Sequence, residues 1–146
     1  MELPRYKLLA AKSRTVFEFT SEGPNGEIHK LIKFTRIHTK VVFNLAFGDK
    51  KPGTNDIDDE VVSNNGDSKK ILATVADAVD RFTRDYPSTW IYATGSTKSR
   101  TRLYQMSISK YLPEVIKNFE VYGLIKGEWQ TFRNGIAYEA FLVKRK

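Results

Sequence analysis

The chain predicts an α+β (mixed α/β) fold in which one sheet carries helices packed on it. The expected order is an antiparallel β meander, a helix, a strand, a second helix and a terminal β hairpin. Three observations predict it. Short β-branched and aromatic runs fill Thr15 to Phe47, broken by turn residues. Ile71, Leu72, Val75, Val79 and Phe82 recur at helical spacing. So do Tyr104, Ile108, Tyr111, Leu112, Val115, Ile116 and Phe119, and between and beyond these two stretches the chain returns to β-rich runs.

Taken in order, Tyr6 to Ala10 is a short apolar run expected as an edge strand. Thr15 to Thr20 is a strand by composition, and Gly23-Pro24-Asn25-Gly26 is a strong turn. Ile28 to Ile37 returns as the second strand. Lys40 to Phe47 is the third, with Val41, Phe43 and Leu45 on one face and Val42, Asn44 and Ala46 on the other. Gly48 to Asp67 is a long polar and acidic loop, with a short strand near Val61 and Val62. Loops of this length in a compact domain are often functional.

Ser68 to about Asp85 is an amphipathic helix that Asp67 or Ser68 can cap and that Pro87 ends. Ser88 to Thr94 is the next strand. The second helix starts near Thr97. Pro113 kinks or divides it, because proline removes a ladder bond and disfavours helix at Leu112. Phe119 to Ile125, Glu128 to Phe132 and Ile136 to Val143 are strands, and Asn134-Gly135 is a two-residue hairpin turn.

Composition narrows the function classes. The 146 residues suit a single domain, 1–146, able to bury roughly two-thirds of its unfolded surface. Hydrophobic residues at 40% and charged residues at 28% do not fit the disordered class. The absence of cysteine excludes a disulfide framework and thiolate chemistry, and fits a cytoplasmic setting. No apolar run approaches the ~18 residues of a membrane span, and no signal peptide is expected. The formal charge of +7 favours acidic partners.

One stretch concentrates that charge. Trp90 to Tyr104 reads as a buried strand, a Gly-Ser-Thr turn and a helix whose first two turns carry Lys98, Arg100 and Arg102. A helix start already holds partial positive charge, so three cations there cost stability unless an anion binds. Gly95, Ser96, Thr97, Lys98, Arg100 and Arg102 are therefore the expected ligand-binding residues, with nucleic acid or a phosphorylated small molecule as partner. The competing expectation pairs these arginines with the acids between Asp56 and Glu60.

Other constellations carry less. Asp56, Asp58, Asp59 and Glu60 lack the remaining positions of a calcium loop and read as a solvated loop, so no metal is expected. His29 and His38 have no partner at ligand spacing. Aromatic residues interleave with basic ones around Tyr92, Arg100 and Tyr104 and around Trp129, Phe132 and Arg133. Single strands are held by such mixtures, although aromatics at strand and helix spacing also fill cores.

Asp67 to Val75, Gly95 to Tyr104 and Phe119-Glu-Val-Tyr-Gly123 resemble an uncharacterised bacterial family of about this length, a domain of unknown function, which implies no activity. The element order is also similar to the GNAT acetyltransferase superfamily. That resemblance implies acetyl-coenzyme A as cofactor, where otherwise none is expected. It puts Gly66, Ser68 and Lys69 at the turn that holds the pyrophosphate, and Tyr104 where a tyrosine protonates the departing thiolate. The residues thus predict an anion-binding module. The alternatives are a GNAT-like acyl transferase and a non-enzymatic interaction domain that meets a protein partner through a sheet edge or the acidic loop.

Overall fold

The computed structural model describes residues 4–37, 41–58, 65–95 and 97–146. Among them lie eight strands and three helices. The elements run β1 (Leu9–Ala10), β2 (Val16–Gly23), β3 (Gly26–Arg36), β4 (Val42–Asp49), α1 (Ser68–Asp85), β5 (Trp90–Ala93), α2 (Lys98–Lys110), α3 (Leu112–Asn118), β6 (Phe119–Ile125), β7 (Glu128–Thr131) and β8 (Ala140–Arg145). The sheet is open, mostly antiparallel and ordered β1-β2-β3-β4-β5-β8-β6-β7. No helix among the described residues is long and apolar enough to cross a membrane.

The chain divides into two compact units. Unit 1 comprises Met1–Phe34 and Ala46–Asp85, and unit 2 comprises Thr35–Leu45 and Tyr86–Lys146.

In unit 1, β2 and β3 form the expected antiparallel hairpin, with Val16 opposite Lys33 and Gly23 opposite Gly26. Helix α1 buries Ile71, Val75 and Phe82 of the expected stripe together with Thr74, Ala78 and Thr83, while Leu72 and Val79 are half-buried. Phe82 stacks on Phe34 with ring centroids 4.2 Å apart, and Phe34 meets Phe17 edge-on at 6.0 Å. The expected strand from Tyr6 to Ala10 shrinks to Leu9–Ala10. The reason is a distant partner: the Tyr6 N–H donates to the Thr74 hydroxyl at 2.8 Å instead of to a strand, while the Tyr6 ring stacks on Phe19.

In unit 2, Val42 to Leu45 run parallel to Trp90 to Ala93, and β8 lies antiparallel to both β5 and β6. The hairpin near the C-terminus forms earlier than the Asn-Gly signal suggests. β6 pairs with β7 around Lys126-Gly127, whose φ values of 51° and 77° supply the two left-handed residues a tight hairpin turn needs. After Asn134-Gly135 the chain is not yet a strand. The Gln105 side chain takes both ladder roles there, donating to the Ile136 carbonyl and accepting the Tyr138 N–H at 2.9 Å. The strand expected from Ile136 therefore begins at Ala140 and runs on to Arg145. Pro113 divides the helical stretch as expected: α2 ends at Lys110 and α3 starts at Leu112, with Tyr111 between them.

Candidate functional site

The strand–turn–helix of unit 2 is closed on itself by three residues. Thr97 has extended backbone, and its hydroxyl accepts the Arg100 N–H at 3.2 Å, as a helix N-cap does. Its carbonyl accepts both the N–H and the hydroxyl of Thr101, at 3.1 and 3.2 Å. The Thr101 hydroxyl in turn accepts the Gly95 N–H at 2.9 Å. Only glycine fits at position 95, because a Cβ there would stand 2.4 Å from the Thr101 nitrogen and 2.5 Å from the Arg100 Cβ. Gly95 and Thr97 are thus fastened into the junction. Ser96 lies outside the described residues.

The three cations of the helix start separate into two groups. Lys98 and Arg102, four residues apart on one helix face, are exposed. Arg100 is half-buried and acts on Tyr104, also four residues on. Tyr104 is buried. Desolvation raises its hydroxyl pKa well above the ordinary tyrosine value, and the opposing influence of Arg100 is smaller.

The start of α1, in unit 1, is built differently. Gly66 is exposed with φ of 71°, the left-handed conformation that favours glycine, and Ser68 and Lys69 are exposed after it. The residues between and before them anchor the turn. One Asp67 carboxylate oxygen accepts the Tyr6 and Ser21 hydroxyls at 2.6 and 2.5 Å, and the Asp67 carbonyl accepts the Ile71 N–H at 2.9 Å. Asp67 therefore caps α1 through its main chain while its side chain points to Tyr6 and Ser21. Burial, then the bond to Asp67, raises the Tyr6 pKa. The Asn65 side chain is buried, accepting the Asn25 N–H at 2.8 Å and donating to the Gly26 carbonyl at 2.9 Å. Sequence reasoning missed Asn65, Tyr6 and Ser21 as parts of this turn. Its one signal, Asp67 as a cap, identified only the local half of the network.

Of the acidic loop, Asp56 accepts from Lys33 at 3.4 Å, while Asp59, Glu60, Val61 and Val62 lie outside the described residues. The His29 ring nitrogen lies 3.2 Å from the Thr20 hydroxyl, and His38 lies outside the described residues.

Charge is divided unevenly between the units. Unit 1 holds twelve Lys and Arg against thirteen Asp and Glu, a formal −1, whereas unit 2 holds twelve against four, a formal +8. Their cations also have different neighbours. In unit 1 several meet carboxylates, Lys30 with Asp49, Lys50 with Glu18 at 3.2 Å and Arg81 with Asp77 at 3.3 Å, and Lys70 lies 4.1 Å from the Tyr6 centroid. In unit 2 several lie over rings: Lys144 is 5.2 Å from the Trp90 centroid, Arg145 is 4.9 Å from that of Phe119 and Arg36 is 5.5 Å from that of Phe43. A ring attracts a cation without cancelling its charge.

No curated protein and no solved structure gives a significant match to the chain. A family model does, over residues 2–146, in agreement with the resemblance to an uncharacterised domain. The chain belongs to DUF6934, a family of unknown function.

Proposed function

We propose that unit 2 is a polyanion-binding module whose ligand is the phosphate backbone of a nucleic acid or a phosphorylated small molecule. The observation that carries this is the segregation of charge, +8 in one unit against −1 in the other. A surface evolved only for solubility has no need to gather its excess in one unit, whereas a patch of one sign steers and holds an oppositely charged partner. Lys98 and Arg102 are the direct contacts of this reading, since they are exposed on one helix face. The N–H groups of Gly95, Arg100 and Thr101 are taken by the cap, so the side chains carry most of the binding. The test is affinity for a duplex oligonucleotide at two salt concentrations. Two neutralised phosphates, one for each of these contacts, give a fall of about 12-fold between 50 and 200 mM salt, because each contact releases condensed counterions. A flat profile, or no binding at low salt, overturns the nucleic-acid form of the reading, and absence of pyrophosphate binding at millimolar ligand overturns the small-molecule form.

A second reading, acyl transfer from acetyl-coenzyme A, is favoured by the left-handed Gly66 at the entry to α1 and by the exposed Ser68 and Lys69 after it. Those three residues would hold the pyrophosphate, with the Asp67 carboxylate between them turned to the Tyr6 and Ser21 hydroxyls. Acetyl-coenzyme A would supply an activated thioester. Titration with acetyl-coenzyme A decides it, and absence of binding at millimolar ligand ends it.

A further inference from the structure

The sheet of unit 2 has one apolar face and one aromatic face. Side chains alternate along each strand, so Phe43, Ile91, Val121 and Phe141 are buried on one side. The register then brings Trp90 opposite Lys144, Tyr92 opposite Leu142, and Leu142 opposite Tyr122 on the other side. All five of these residues are half-buried. The rings reach towards each other across the strands: Trp90 and Tyr122 have centroids 5.6 Å apart, and Tyr92 and Trp129 have centroids 6.1 Å apart. Trp129, on the edge strand β7, is 41% exposed. Two tryptophans and two tyrosines therefore form two ring pairs on one sheet face, with Leu142 between Tyr92 and Tyr122, within the unit that holds the whole charge excess of the protein.

We propose that this face is a stacking platform for single-stranded nucleic acid. Bases freed from a duplex present π-faces of any sequence, which aromatic rings accept, and the phosphates between them require cations. The Lys144 ammonium, resting over Trp90, sits among the rings, and the +8 unit supplies the surrounding field. Glu120 lies opposite Lys144 in the register and accepts from the Tyr122 hydroxyl at 3.3 Å. It offers an acceptor for base N–H groups rather than a phosphate contact. A double helix keeps its bases stacked inside and gains nothing from such a platform, so the inference goes beyond backbone binding. It shares with the polyanion reading only the sign of the partner.

The test is fluorescence anisotropy of short labelled oligo(dT) and oligo(U) at low salt, with intact protein and with Trp129→Ala, Tyr92→Leu and the double variant Lys98→Ala/Arg102→Ala. Each lost stacking contact is expected to weaken single-strand binding roughly 5- to 100-fold. Binding should also quench tryptophan fluorescence in the intact protein. Tyr92→Leu keeps the apolar packing and removes the ring, which guards against a folding defect at either site. The two oligonucleotides separate an RNA partner from a DNA partner. Duplex affinity should be unchanged by Trp129→Ala and reduced by the double variant, so the two ideas fail separately. Wild-type affinity for single strands in both ring variants overturns the platform. So does a face that proves to be covered by a second copy, seen as a Trp129→Ala change in oligomeric state without a change in affinity.

Discussion

Units 1 and 2 carry the same number of cations, twelve each, against thirteen acids in the first and four in the second. Unit 1 pairs at least seven of its cations with carboxylates. Lys30 and Asp49 are buried together, Lys33 meets Asp56, Arg14 meets Asp85, and Arg5 and Arg81 share Asp77. Its charges are internal fasteners, and the polar network of Tyr6, Ser21, Asn65 and Asp67 adds neutral and charge-assisted bonds of the same kind. Unit 2 has four acids for its twelve cations, so most of its positive charge has no carboxylate to meet within the unit. The difference teaches that net charge alone says little about function. What matters is whether the charges are answered from within the same unit.

The largest expected effect comes from breaking an internal fastener. Asp49→Ala leaves the Lys30 ammonium buried without its carboxylate, a loss of about 3–5 kcal/mol in folding stability measured by urea unfolding. Replacing both residues with apolar ones of similar volume is expected to recover most of that loss, since a well-packed apolar pair avoids the desolvation of two charges. If Asp49→Ala is as stable as the parent, the buried pair is not a fastener and the contrast between the units weakens.

Next in size is a change that leaves unit 2 folded and removes a ligand contact. Arg102→Ala is expected to lose about 1.5–3 kcal/mol of affinity for a phosphorylated ligand, the range of a charge-assisted hydrogen bond. Arg100 is half-buried and its charge acts on Tyr104, so Arg100→Ala is expected to change affinity by less than ~1 kcal/mol. Isothermal titration with pyrophosphate compares the two variants. Equal losses would mean that the helix start acts as a diffuse charge, without the division into an outward face and an inward one.

Much of this was legible in the sequence because it is local. Ile71, Val75 and Phe82 on α1, the break at Pro113 and the helix start near Thr97 depend on residues within one or two helical turns of each other. Features set by distant partners were not. Tyr6 bonds Asp67, 61 positions away, and Ser21 bonds it across 46. β8 pairs with β5 and β6 together, a placement that no local pattern encodes. The Asn134-Gly135 pair is a stronger hairpin signal than Lys126-Gly127, yet the β6–β7 hairpin closes at the latter because Gln105 and Tyr138 hold the chain after Asn134 out of the ladder. The charge difference was largely legible, since residues 86–146 alone hold ten Lys and Arg against four Asp and Glu; only the joining of 35–45, with Arg36 and Lys40, to the same unit needed the fold.

Tyr104 gives a pH prediction for unit 2. Its folded pKa is raised above the ordinary value of 10.0, chiefly by burial. Below that value both folded and unfolded states keep the phenol proton, and the group contributes its full stability. Above it the unfolded chain gives up the proton while the folded chain retains it, so stability falls by up to ~1.4 kcal/mol per pH unit. Denaturant unfolding between pH 9 and 11 measures the slope, and Tyr104→Phe is expected to remove this contribution. Tyr6, whose pKa is also raised by burial and by its bond to Asp67, adds a slope of the same sign from unit 1, which Tyr6→Phe isolates. Loss of slope in one variant and not the other would show which unit opens to alkali.

The smallest expected effect tests the comparison from the opposite side. Arg84 pairs with Asp80 at 3.2 Å, one turn apart on α1, and its side chain is 70% exposed. Such a pair is screened by water and salt and orders two flexible side chains, so Arg84→Ala is expected to cost only about 0.3–0.5 kcal/mol in low-salt thermal unfolding, and less in high salt. It also sits near the C-terminal end of α1, where a cation is favoured by the helix dipole. Lys98→Ala lies at the other kind of helix end and reverses the sign. Removing a cation from the first turn of α2 is expected to leave stability unchanged or raise it by a few tenths of a kcal/mol. The two variants delete the same charge from opposite helix ends, one in each unit. A cation retained where it opposes the helix is the pattern a ligand-holding charge leaves behind, and a stability loss for Lys98→Ala equal to that for Arg84→Ala would return Lys98 to the class of fasteners.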